Sequence, residues 1–105
     1  MTREELELTT VEIVAYAGDA RSKYIKAMDA ASLGDFDKAE ELIKEGNDYI
    51  SEAHHVQTSM IQLEATGEKL DVGFLMVHAQ DHLMTVMLLR DIIKNMINLY
   101  KRTTN

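Results

Sequence analysis

Leu83-Met84-Thr85-Val86-Met87-Leu88-Leu89 is apolar nearly all the way round a helix, and Ile92, Ile93, Met96 and Ile97 prolong it. A helix of that kind is buried on all sides. Two partner helices from one short chain cover only part of its circumference. The stretch therefore predicts a helical bundle whose monomer buries one side of this helix and whose homo-oligomer buries the other. Phe74, Val77, Asp81, Met84, Leu88, Ile92 and Asn95 form one stripe at steps of three and four, with Asp81 its sole charge. An exposed adhesive surface, or a site for a different protein, is the alternative use of such a face.

Two further helices precede it. Thr2 and Glu5 have the spacing of a capping box, which starts the first helix near residue 3. Its stripe runs Leu6, Ile13, Ala17, Ala20, Tyr24, Ala27 and Ala31, widened by Val14, Ile25 and Met28. Gly34 is placed to end it, and Asp35 to cap the next helix at once. A joint that short favours an antiparallel neighbour. The second helix repeats Leu42, Gly46, Tyr49, Ala53, Val56, Met60 and Leu63 at alternating steps of four and three, the pattern of bundles and coiled coils. Gly67 ends it, and Glu68, Lys69 and Leu70 make a short connection. Asp71 is the expected cap of helix three, which runs to about Arg102. Each helix spans roughly 45 Å at the standard rise. Gly18 and Gly46 interrupt good helical pattern, which points to close backbone approach.

The 105 residues suit a single domain, 1–105, with one core of modest size. No proline and only 5 glycines agree with long helices. The formal charge of −7, without a basic patch, argues against nucleic acid, which is held through Lys and Arg at phosphates. Absence of cysteine excludes disulfides and thiol chemistry and fits a cytoplasmic setting. The charged start, Met1-Thr2-Arg3-Glu4-Glu5, is unlike a signal peptide, and no apolar run is long enough for insertion into a membrane.

Just ahead of the apolar stretch lies the chemistry. Val77-His78-Ala79-Gln80-Asp81-His82-Leu83-Met84 sets two histidines and a carboxylate on adjoining helical turns. Polar titratable groups among apolar ones are costly unless paired, bonded or ligated. A neutral imidazole nitrogen is a good nucleophile near neutral pH, so His78 can act as a phosphoryl acceptor. Such transfer needs in-line positioning and charge stabilisation and little else. His82, one turn on, could donate to phosphoryl oxygens, as could Gln80 from a neighbouring subunit. Set against this, a helix histidine is as often simply bonded on a flank.

Asp81 invites a metal. Three copies converging on a three-fold axis would repel one another, and a divalent cation would relieve that. Oxygen ligands favour Mg²⁺ or Ca²⁺; a wet, unliganded rim residue is the plainer alternative. A zinc hydrolase fits poorly, because the residue after the first histidine is Ala79 where a metalloprotease has its glutamate base. His54 and His55 read as flank and surface residues. The 7 methionines read mostly as core filler.

The octapeptide resembles the phosphorylation segment of the lactose/cellobiose-type enzyme IIA proteins of the sugar phosphotransferase system. Ile13-Val14-Ala15-Tyr16-Ala17-Gly18-Asp19-Ala20-Arg21-Ser22 and Glu52-Ala53-His54-His55-Val56-Gln57-Thr58, followed by Glu64-Ala65-Thr66-Gly67-Glu68, are similar to it as well. The resemblance implies an all-α, antiparallel three-helix unit assembled into a homotrimer of nine helices. It implies that His78 takes a phosphoryl group on Nε2 from the phosphocarrier protein HPr. His78 would pass it to a cysteine of the cognate enzyme IIB, which phosphorylates a β-disaccharide imported by membrane enzyme IIC. Asp81 from each subunit would share a metal, Mg²⁺, on the axis, with Gln80 and His82 supporting the active site. The rival expectation is a non-catalytic helical oligomeric interaction module whose histidines only pack or bond.

Overall fold

The computed structural model describes residues 1–103, and within them the chain is three α-helices with no strand. They are α1 (Arg3–Ser32), α2 (Phe36–Ala65) and α3 (Phe74–Thr103), each of 30 residues. They run up, down and up in a bundle 56 × 20 × 20 Å in extent, so α1 and α3 are parallel.

The termini follow from side-chain chemistry. Thr2 Oγ1 accepts from the Glu5 amide at 3.1 Å while the Glu5 carboxylate reaches back to the Thr2 amide, the reciprocal cap the spacing predicts. Such a cap contributes about 1 kcal/mol. At the other end Gly34 takes φ +82°. The Gly34 amide bonds the Ala31 carbonyl and the Asp35 amide bonds that of Ala30, closing the last turn. Asp35 then accepts from the Lys38 amide at 3.2 Å and starts α2. Gly67, at φ +100°, follows the last turn of α2.

The next joint departs from expectation. Asp71 does not cap α3; the helix begins at Phe74, and the first helical bond runs from the Val77 amide to the Gly73 carbonyl. Gly73 has no side chain to offer, and the connection is correspondingly longer, from Thr66 to Gly73.

Packing is asymmetric. Ala17, Ala20, Ala27 and Ala31 of α1 meet Ala39 and Ala53 of α2, all fully buried. These small side chains let the two helices approach closely. Tyr24 is the one large residue on that seam, and Gly46 makes its space: a Cβ there would lie 2.6 Å from the ring. The Tyr24 hydroxyl donates to Asn47 Oδ1 at 2.7 Å, and burial pushes the phenol up to about 12. Thr10 fills the step between Leu6 and Ile13, its hydroxyl bonded to the Leu6 carbonyl at 2.7 Å. Ile25 does not widen the buried stripe; it is 37 % exposed, at the edge of the packed face. On α2 the core takes in Ile43 and Ile50 beyond the expected stripe, while Tyr49, Val56 and Leu63 are half-buried.

Helix α3 packs chiefly on α1 and only lightly on α2. Met76, Ala79, Leu83, Val86, Ile93 and Ile97 are its buried face. The stripe of Phe74, Val77, Asp81, Met84, Leu88, Ile92 and Asn95 is exposed along its whole length, with Leu88 61 % and Phe74 92 % exposed. One side of α3 is thus covered within the chain and the other is bare, as its sequence predicts.

Candidate functional site

Ala79 and Leu83 are fully buried against α1, and this sets the rotation of α3. Positions 78 and 82 then emerge together on the flank nearest α1. His78 is exposed and His82 half-buried. Their imidazole rings stack with centroids 6.0 Å apart and planes 2° from parallel. Gly18 of α1 lies opposite: a Cβ there would sit 3.8 Å from His82 Nε2, an ordinary contact. The approach at Gly18 is therefore looser than at Gly46, and it leaves the α1 backbone open beside the imidazole pair.

Burial pushes the His82 imidazole below its ordinary value. His78 and the Arg21 guanidinium push in the same direction, and the Asp81 carboxylate opposes them. The shift favours the neutral ring of His82, which can donate from one nitrogen and accept at the other.

Gln80 turns the other way. Its Oε1 accepts from Gln57 Nε2 of α2 at 2.5 Å, and its Nε2 lies 3.5 Å from Met76 Sδ. Asp81 is exposed and lines the same side, in a groove of about 550 Å³ between α2 and α3 that Gln57, Glu64, Met76 and Met84 also line. Within one chain, then, the octapeptide divides. His78 and His82 face α1, whereas Gln80 and Asp81 face the open groove beside α2. Only a second copy could bring a Gln80 to a His78.

Among the described residues, no three His, Cys, Asp or Glu side chains of one chain converge closely enough to hold a metal ion. Asp81 lies in the middle of a bare apolar stripe, and among the described residues its carboxylate makes no ion pair. His54 and His55 are exposed, as expected of flank residues. Among the described residues no helix is long and apolar enough to cross a membrane.

Three neighbours of the octapeptide escape a reading by spacing alone: Gly18 and Arg21 beside His82, and Gln57 bonded to Gln80. All three lie in the two outer segments that carry the family resemblance, which is the signal that points to them.

Comparison with known proteins agrees with that resemblance. The family described as "PTS system, Lactose/Cellobiose specific IIA subunit" matches residues 8–101. The PTS system lactose-specific EIIA component of Staphylococcus aureus is 53% identical over 102 residues, covering 97% of this chain and 99% of that one. Among solved structures, the cellobiose-specific enzyme IIA of Bacillus anthracis superposes with a TM-score of 0.91 at 37% identity, over 97% of this chain and 92% of that one. The IIA(Chitobiose) protein of Escherichia coli, solved in complex with HPr, superposes with a TM-score of 0.80 at 37% identity, over 92% of this chain and 94% of that one.

Proposed function

Because the chain belongs to the lactose/cellobiose-specific IIA family of the phosphotransferase system, we propose that it is the phosphoryl carrier of a cytoplasmic sugar-uptake relay with His78 as the carrying residue. The observation that carries the assignment is the placement of His78. It is an exposed imidazole on a rigid helix, stacked on a second ring and flanked by a bare apolar surface.

The chemistry is one transfer in and one out. His78 Nε2 attacks the phosphorus of phosphohistidine on HPr; the new N–P bond forms as the donor's N–P bond breaks, and the donor imidazole leaves. A cysteine thiolate of the cognate enzyme IIB then takes the same group, forming an S–P bond and returning His78 to its free state. Membrane enzyme IIC presents the imported β-disaccharide that is phosphorylated last. The rigid helix fixes the direction of the His78 ring, which in-line transfer requires. His82, neutral and stacked beside it, offers a nitrogen-bound proton to phosphoryl oxygens.

The working unit is a homotrimer in which the bare stripe of α3 is covered by two other copies. Burying Val77, Met84, Leu88 and Ile92 would supply the association energy, at about 25 cal/mol per Å² of apolar surface. Gln80 of one subunit would then meet His78 of the next. Asp81 from each subunit would hold a divalent cation, Mg²⁺ by the preference of hard oxygen ligands, and the bound ion would supply charge neutralisation on the axis. The test is phosphorylation with phosphoenolpyruvate, enzyme I and HPr, read by intact mass beside His78→Ala.

A further inference from the structure

The phosphoryl group imposes an electrostatic demand that the octapeptide does not meet. It brings net negative charge to a chain whose formal charge is already −7. His82 and Gln80 can donate hydrogen bonds to phosphoryl oxygens, but a fixed positive charge would offset the added charge directly. The flank of α1 beside the imidazole pair offers one such charge.

Arg21 is that cation. It stands one turn after Gly18 on α1, and Gly18 is where α1 meets His82. Helical side chains lean toward the N-terminus of their helix. Arg21 therefore leans back toward the level of Gly18. Since α1 and α3 are parallel, this is also the direction from His82 toward His78. Gly18 has no side chain to stand in the way. Among the described residues Arg21 makes no ion pair and no hydrogen bond. Lys26, Lys44, Lys69, Lys94 and Arg102 are likewise unpaired among the described residues, but of these six only Arg21 stands within one turn of Gly18. An exposed arginine with no partner, in a chain with more acidic than basic groups, has its donors free for an incoming anion.

We propose that Arg21 is the phosphoryl-binding cation of the site: its guanidinium, reaching past Gly18 along the α1–α3 flank, takes the phosphoryl oxygens when the group is on His78. The planar guanidinium presents donors that match phosphoryl oxygens in a fork. No covalent step is added; Arg21 stabilises the loaded state and the charge that moves during transfer. This rests on the carrier reading with His78 as acceptor.

The test is the equilibrium between phospho-HPr and the full-length protein, measured for wild type, Arg21→Gln, Arg21→Lys and His78→Ala by intact mass. Arg21 is exposed, so these variants keep the fold; far-ultraviolet circular dichroism and sedimentation check that. The equilibrium constant is the decisive quantity. A residue that only docks the donor changes the rate and leaves the constant between the free species unaltered. Loss of one charged phosphoryl contact should shift it about tenfold toward the donor in Arg21→Gln. Arg21→Lys should recover part of the shift, and the ³¹P resonance of the phosphohistidine should move in Arg21→Gln. An Arg21→Gln protein with the wild-type constant and the wild-type resonance would overturn the assignment while leaving His78 in place. Wild type that accepts no phosphate from active phospho-HPr would overturn the carrier reading itself, and Arg21 with it.

Discussion

The His82 ring lies parallel to the His78 ring, 6.0 Å from it, on the flank of α3 that faces Gly18. The pair is built by helical spacing and by the burial of Ala79 and Leu83, which fixes the rotation of α3.

His82 should therefore titrate below the ordinary histidine value of about 6.5. Burial is the main cause, and His78 and Arg21 add to it. Proton titration followed by NMR of the ring carbons checks this, and His78→Ala should move the His82 midpoint back up. The stability consequence has a definite sign. Above the unfolded value both states leave His82 neutral, and its contribution is complete. As pH falls through that value toward the depressed folded one, the unfolded state binds the proton first and stability declines. A His82 midpoint above the ordinary value would contradict the packing described.

Gly46 and Gly18 should respond oppositely to alanine. At Gly46 the new Cβ would meet the buried Tyr24 ring at 2.6 Å, and overpacking of that kind costs about 1–3 kcal/mol. At Gly18 the new Cβ would make an ordinary contact at 3.8 Å, and the gain in helix propensity is about 0.5–1 kcal/mol. Urea denaturation at one fixed protein concentration distinguishes the two. Equal effects would mean that Tyr24 does not fill the Gly46 notch.

The bare face of α3 predicts self-association. Wild type should sediment as a trimer, and Leu88→Glu, which sets a charge on the most apolar part of the stripe, should sediment as a monomer with its helix content kept. Asp81→Leu should stay trimeric without metal, since an apolar side chain removes the repulsion of three carboxylates. Chelation should loosen wild type and leave Asp81→Leu unchanged. Dissociation of Asp81→Leu would show that Asp81 does not face its copies.

Much of this architecture is legible in the sequence because long amphipathic helices announce themselves. The Thr2–Glu5 box, Gly34 and Asp35 all act as their residue types dictate, and the seven residues of the α1 stripe are all buried. The start of α3 is less legible. Asp71 is a good cap by type, but Val72 and Gly73 follow it, and the helix waits until Phe74. Ile25 misleads for a different reason: periodicity tells which residues share a face, not how far round that face a partner reaches. The site is half legible. Spacing brings His78 to His82, but it cannot show that Gln80 and Asp81 turn to the α2 side, because the position of α2 around α3 is a tertiary fact. The same holds for Gly18, two helices away in the chain and next to His82 in space.

The most direct test of the carrier assignment is the mass of the protein after incubation with phosphoenolpyruvate, enzyme I and HPr. Wild type should gain one phosphate per chain, labile in acid and stable in base, and His78→Ala should gain none. Label retained in full by His78→Ala, or no label on wild type while HPr itself is phosphorylated, would contradict the account.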